Sequence, residues 1–217
     1  TIGIAWKLLD PQDPAGGSIL LECTGIWTRG AAVHVAGRVR KISCRNVLKI
    51  GPGVLVNLVA PTGREATLQF EDVTCRRSGA VLRWNYTDAQ TLAKLRLRVE
   101  ANHCVFDLAG QETPLVEWAG TELPATWERS LEWDGENSLA PANGAIAGHL
   151  NSADRTWQAL DATKLALEGL LASPFEFAGP VSLDPADAVV STIDGPRLSS
   201  RLPGIAADEI SAPPRSE

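Results

Sequence analysis

A chain of 217 residues, 44% hydrophobic and 21% charged, is long enough to bury a sizeable core and too apolar to be a disordered tail. No apolar run approaches the ~18 residues that cross a bilayer, and no secretory pattern opens the chain. The net charge of −6 is unevenly spread: residues 1–100 carry 14 Lys+Arg against 8 Asp+Glu, and residues 101–217 carry 6 against 18. A basic half can attract polyanions, but aromatic residues rarely interleave with its Lys and Arg, so no nucleic acid is expected. The start at Thr1 and the lack of methionine read as a piece of something longer.

From the N-terminus onward the chain repeats one pattern. Ile19–Gly30 (ILLECTGIWTRG), Lys41–Gly53 (KISCRNVLKIGPG), Thr67–Gly79 (TLQFEDVTCRRSG), Arg98–Gly110 (RVEANHCVFDLAG) and Ser130–Pro141 (SLEWDGENSLAP) each alternate apolar and polar residues. Each is then interrupted by a small or polar residue, resumes with a second apolar pair and closes on Gly or Pro. Aligned by this pattern, Cys23, Cys44, Phe70, Ala101 and Trp133 share one rung, and Leu21, Ile42, Leu68, Val99 and Leu131 another. Shorter strand-like pieces lie between, at residues 32–35, 54–58, 81–84 and 115–118, each after a turn and before a polar loop.

Strands this short, separated by one- or two-residue kinks, cannot fold back as hairpins. They can turn corners and continue, so each pairs parallel to its equivalent in the next repeat, ~4.8 Å away. The expected fold is all-β: a right-handed parallel β-helix, or solenoid, of about five coils over residues 1–150. Cys23 and Cys44 then read as a reduced stack inside, with a disulfide left open. Asn46 and Asp72 fall at the kink, with Gly25, His103 and Gly135 in the same rung. Arg40 is expected at a corner, since its alignment would point it inward.

After about Asn151 the pattern changes. Arg155–Leu171 has apolar residues at Trp157, Leu160, Leu165, Leu167 and Leu170 and reads as amphipathic helix, so residues 151–178 are expected to form a helical cap over the open end. Residues 179–217, rich in Pro, Asp, Ser and Ala, read as an extended tail packed along the solenoid and fraying near Pro203–Gly204 and Pro213–Pro214.

With these segments laid out, the chain resembles the right-handed β-helix, pectate-lyase-like repeat superfamily. More narrowly, it resembles the β-helix regions of planctomycete-type surface or membrane-associated proteins, some of which carry a serine/threonine kinase domain. The residues that carry the likeness are Cys44–Gly53, Leu68–Cys75 (LQFEDVTC), Glu132–Ser138 (EWDGENS), Asp184–Ala186 (DPA) and Leu202–Ile205 (LPGI). The resemblance implies a domain of a larger protein, extracellular or in the cell envelope, and supplies no catalytic residues.

The residues themselves offer few sites. Glu132 and Asp134 share an outward strand face, with Glu136 beside them, but three carboxylates fall short of a calcium shell. Glu71 and Asp72 are strand neighbours and point to opposite faces. His34, His103 and His149 have no Ser/Asp or Cys/Asn companions, and the four cysteines lack zinc spacing. No catalytic residue, metal or cofactor is therefore expected. Asn85–Tyr86–Thr87 fits a glycosylation sequon. The candidate carbohydrate site is Lys94, Arg96 and Arg98 on one strand face, with Lys41 and Thr67 in line across coils and Trp84 and Tyr86 on the adjoining piece. An acidic glycan or another envelope protein is the expected partner. Two functional classes stay open: a non-catalytic structural or binding module, which includes a ligand-sensing ectodomain, and a fragment of a polysaccharide lyase or hydrolase with its groove on other coils.

Overall fold

The computed structural model describes residues 4–7, 17–61, 64–194 and 201–210. The protein is predominantly β, and most of its strands pair in parallel. After β1 (Ile4–Lys7), the chain makes repeated passes between two sheets. The passes run through β2 (Gly17–Trp27) and β3 (Val33–Ala36), then β4 (Val39–Ile50) and β5 (Val56–Val59), then β6 (Glu65–Ser78) and β7 (Leu82–Asn85). A short helix, α1 (Ala89–Lys94), follows. The passes then continue through β8 (Arg96–Asn102), β9 (Val105–Leu108) and β10 (Val116–Gly120), and through β11 (Leu131–Glu136), β12 (Ser138–Ala140) and β13 (Ala147–Asn151).

One sheet stacks β1, β3, β5, β7, β10 and β13 in parallel. In the other, β6 forks: Glu65–Glu71 pairs with β8, and Thr74–Ser78 pairs with β9. Every return to a sheet adds one strand beside the last, an order compatible with the expected solenoid.

The fork marks a kink that recurs in every pass. Cys23, Asn46, Asp72, His103, Asn137 and Gly169 have φ of 45°, 49°, 53°, 55°, 50° and 73°. They stack as one rung, because the pairs on either side, Glu22↔Arg45 and Thr24↔Val47 for example, stay in register. Asn, Asp and His tolerate this left-handed conformation better than other side chains, and Gly needs no tolerance at all. The register corrects two rows of the sequence alignment. Cys44, Phe70 and Ala101 do share a rung, but with Leu21 and Gly135 rather than Cys23 and Trp133. The first and last repeats were therefore two residues out, an error that period-2 alternation cannot detect. Cys23 is exposed at the kink, and Cys44, Cys75 and Cys104 are separate free thiols in the core. Burial pushes the Cys44 thiol up to about 12 and the Cys75 thiol to about 11. Arg40 is exposed on β4, where the register against β2 shifts by one residue.

The core is a column of alternating side chains, including Ile42, Leu68, Val99 and Trp133 on one rung and Val35, Leu58, Trp84 and Trp118 on another. At the far corner the turns stack so closely that a Cβ on Gly53 would lie 1.7 Å from the Gly30 carbonyl oxygen. Lys49 reaches into this corner from the interior rung it shares with Cys75. It is fully buried, and its ammonium donates to the carbonyls of Gly51 and Gly53 and to Ser78 Oγ.

The segment expected to be a helical cap is not helical. It holds β14 (Trp157–Ala159), antiparallel to β13, a single 3-10 turn at Ala162–Lys164, and β15 (Leu170–Ala172), parallel to β12. Leu167 bridges to Trp133, and Gly169 takes the kink position, so this stretch begins another pass. The helical spacing of its leucines is overridden by the strand edge they pair with. Beyond it, β16 (Phe175–Phe177) and β17 (Val190–Ile193) form an antiparallel pair that packs on Val105 and Leu139. Ala188, Ile205 and Ile210 cover the outward side chains Leu48 and Ile50. Pro213–Pro214, where fraying was expected, lies outside the described residues.

Lys49 yields a pH-dependent prediction. Burial lowers its pKa from 10.5 to about 8, so between those values the unfolded chain binds a proton that the folded chain does not. Its contribution to stability therefore rises from about pH 8 to pH 10.5, and the full burial penalty is present below that window. Lys49→Met strands the Gly51 carbonyl and should destabilise the fold by about 1–3 kcal/mol at neutral pH. Denaturant titrations of both proteins should show this gap widening towards about pH 10; a constant or shrinking gap would contradict the assignment.

Candidate functional site

The side chains of β4, β6, β8 and β11 that point away from the core form rows across the strands. One row is Lys41, Thr67, Arg98 and Glu132, and the next is Ser43, Gln69, Glu100 and Asp134. A third runs Glu22, Arg45, Glu71 and Asn102 to Glu136. Because parallel register places like positions one strand spacing apart, side chains that would be mobile alone meet a neighbour on either side.

Arg45 donates from Nε to Glu71 at 2.8 Å and from NH1 to Glu22 at 3.2 Å. In the second row, Gln69 Nε2 donates to Glu100 Oε2 at 2.6 Å. Arg98 links the rows, with Nε 3.1 Å from Glu100 and NH2 3.6 Å from Asp134. These pairs are exposed and each adds little stability, but together they fix the face as a flat array of both signs.

The structure brings together only part of the predicted carbohydrate site. Lys41, Thr67 and Arg98 do line up, and Arg96 is exposed on β8. Lys94 belongs instead to the last turn of α1. Trp84 and Tyr86 are 2% and 5% exposed, so neither offers a sugar a free ring face. Alternation from Arg83 sends Trp84 into the core. The Tyr86 hydroxyl donates to the Glu122 carbonyl at 2.8 Å and lies 3.1 Å from His149 Nε2. Burial, with Glu122 nearby, pushes the Tyr86 phenol up to about 12. His149 is lowered by burial, and its Nε2 also lies 3.2 Å from the Gly120 carbonyl.

Glu132, Asp134 and Glu136 occupy the three rows of one outward strand face. A cavity of about 430 Å³ is lined by the first two of them with Arg96, Lys164 and Glu168. Among the described residues no group of three or more His, Cys, Asp or Glu is arranged to hold a metal ion. The Asn85 amide of the sequon donates to Asn57 Oδ1 at 2.6 Å and to the Leu58 carbonyl at 3.2 Å, so a glycan on that nitrogen would break a cross-strand ladder. His34 is held 3.0 Å from Asn57 Nδ2 in the adjoining row of the same sheet.

Two features escaped the sequence reading. The first is α1, capped by Asp88 Oδ1 accepting from Thr91 N at 2.7 Å. The Asp-x-x-Thr spacing was its signal. The second is that residues 201–210 cross the kink rung and bond to it. Asn137 Nδ2 donates to the Arg201 carbonyl at 3.0 Å, and Gly204 N donates to the His103 carbonyl at 2.7 Å. Ile205 N donates to Thr74 Oγ1 at 3.1 Å. Asn46 is bonded to Ala206 twice, its Oδ1 accepting from the amide at 2.9 Å and its Nδ2 donating to the carbonyl at 3.1 Å. Arg201 pairs with Asp72 at 2.8 Å.

No protein-family profile matches the chain, and no curated protein or solved structure matches it at a significant level.

Asn46 combines a left-handed backbone with a side chain that holds the crossing segment. Asn46→Ala should therefore destabilise the protein by about 3 kcal/mol, the sum of backbone strain and lost hydrogen bonds. Asn46→Gly removes the strain and should recover about 1–2 kcal/mol of that. Thermal or chemical unfolding of the pair separates the two contributions, and equal losses would place the whole effect in the side chain.

Proposed function

We propose that this protein is a non-catalytic structural or binding module, a stretch of right-handed parallel β-helix of the pectate-lyase-like kind within a larger envelope or membrane-associated protein. The parallel passes and the shared kink rung support the winding. The observation that carries the functional reading is the cross-strand pairing of the outward face. Arg45 bridges Glu22 and Glu71, Arg98 bridges Glu100 and Asp134, and Gln69 donates to Glu100. Ionisable groups committed to each other in this way present a fixed surface at little entropic cost on binding.

The same pairing refines the choice of partner. Arg45 and Arg98 each lie between two carboxylates, so an approaching polyanion meets rows of both signs. Such a face suits another envelope protein with complementary rows better than it suits an acidic glycan, for which Trp84 and Tyr86 offer no stacking surface. A ligand-sensing ectodomain is one form of this reading.

The test is to fractionate native cells, follow the parent chain with an antibody to this domain, and incubate the recovered parent with polyuronates and alginate. The expected result is a parent that sediments with the envelope and leaves the polymers intact. A freely secreted parent that releases shortened or unsaturated products would replace the module with the polysaccharide enzyme.

A further inference from the structure

The outward rows of β4, β6, β8 and β11 carry a charge pattern that is complementary to its own reversal. Parallel register runs each row across all four strands, so Lys41 is in line with Glu132, Ser43 with Asp134 and Arg45 with Glu136. Each of these pairs spans three strand spacings, about 14 Å, too far for contact within one chain. Yet each sets a cation or a neutral group on β4 against a carboxylate on β11. The two inner strands do the same, with Glu65 against Arg96, Thr67 against Arg98, Gln69 against Glu100 and Glu71 against Asn102. None of these side chains is buried.

Such a pattern fits a second copy of the chain. A two-fold axis lying between two such faces, parallel to the strands, keeps each row facing itself and reverses the strand order. With the axis between β6 and β8, β4 of one copy faces β11 of the other, and β6 faces β8. Lys41 then meets Glu132, Arg45 meets Glu136 and Glu65 meets Arg96, three pairs of opposite charge that the symmetry doubles. The other four pairs set a charge against Ser43, Thr67, Gln69 or Asn102, and no like charges meet. At the ~10 Å spacing of stacked sheets, Lys, Arg and Glu side chains from opposite faces reach one another.

Other placements of the axis fail on sign. Over β6 it puts Lys41 against Arg98 and Glu71 against its own copy; over β8 it puts Arg98 and Glu100 against theirs. Between β8 and β11, Glu100 meets Asp134. An axis along the stack through the middle row reverses the strands and sets Lys41 against Arg45 and Glu132 against Glu136. Between β4 and β6 no like charges meet in these rows, but β11 is left uncovered and Leu20 faces Glu100. One oppositely charged pair then remains, Arg45 with Glu71.

We propose that this face pairs with the same face of a second copy, about a two-fold axis between β6 and β8. This pairing rests on the binding-module reading and gives that module its partner. Four strands by about seven residues present about 400 Å² per copy, half of a standard interface, so the association is weak and reversible. Its attractive pairs lie at the surface, so salt weakens it further.

The test is sedimentation velocity of the protein over a range of concentrations in about 50 mM and about 500 mM salt. A monomer–dimer equilibrium is expected at low salt, with a dissociation constant at least about tenfold higher at high salt. Lys41→Glu and Glu132→Lys should each weaken the dimer about tenfold, because each reversal makes two attractive pairs repulsive. Combining them restores both pairs and should return the dissociation constant to within about threefold of the parent's. The two sites are too far apart to couple within one chain, so restoration requires contact between copies. Should a reversal lower the thermal midpoint, Lys41→Gln and Glu132→Gln take its place; they only remove the attraction and should weaken the dimer about threefold.

A protein that stays monomeric at low salt overturns the pairing, as does a double variant no tighter than the single ones. A dimer indifferent to all of these variants is held by another surface and is equally fatal. None of these failures touches the module reading, which stands or falls with the envelope fractionation and the polymer digests.

Discussion

The protein depends on one recurring backbone event, a left-handed residue at a shared rung that turns each pass while the pairs beside it stay in register. In parallel pairing, hydrogen bonds on both sides of the turn continue only if every neighbouring strand turns at the same place. Cys23, Asn46, Asp72, His103, Asn137 and Gly169 do so. Each such residue other than glycine carries a conformational cost of about 1–2 kcal/mol, which the aligned ladders on either side offset together. A strand that turned one residue early would expose its core side chains and bury its charged ones.

Turning the strand also divides its outward surface into two environments. Before the kink, outward positions carry Lys41, Arg45, Glu71, Arg98, Glu100 and Asp134, which meet solvent and pair across strands. After it, outward positions carry Leu48, Ile50, Val105 and Leu139, which need a second layer. Residues 175–193 and 201–210 supply that layer, so β4, β6, β9 and β12 are largely buried on both faces after the kink, as parallel strands usually are, while Trp27 of β2 stays exposed. Arg76 shows how closely the layer is fitted. Its guanidinium donates to the carbonyls of Gly179, Pro180 and Asp187 and lies 4.0 Å over the Phe177 ring. A charged side chain beneath a covering segment is tolerated because that segment offers it carbonyls and a ring face.

The contacts of residues 201–210 follow from the same backbone geometry. Side chains that suit a left-handed backbone are also good hydrogen-bonding groups, so a rung of kinks becomes a row of donors and acceptors facing outward. Asn46 and Asn137 use theirs to hold peptide backbone, and Asp72 pairs with Arg201.

The sequence by itself determined the repeating strands, the kink residues Asn46, Asp72 and His103, and the alternation that sends Lys41, Thr67 and Arg98 outward in line. These are local consequences of period-2 patterning and of side chains that tolerate a left-handed backbone. It could not determine register at the first and last repeats, because a slip of two residues preserves the alternation. Nor could it separate a surface tryptophan from a core one: Trp84 follows an outward Arg83, and only the sheet it joins decides which face is interior. The leucines of 155–171 show the same limit, since helical spacing yields to an open strand edge in need of a partner. Only the tertiary structure placed residues 201–210 on the kink rung. Those contacts link residues as far apart as Asn46 and Ala206, and hydrogen bonds over such separations leave no periodic trace in the chain.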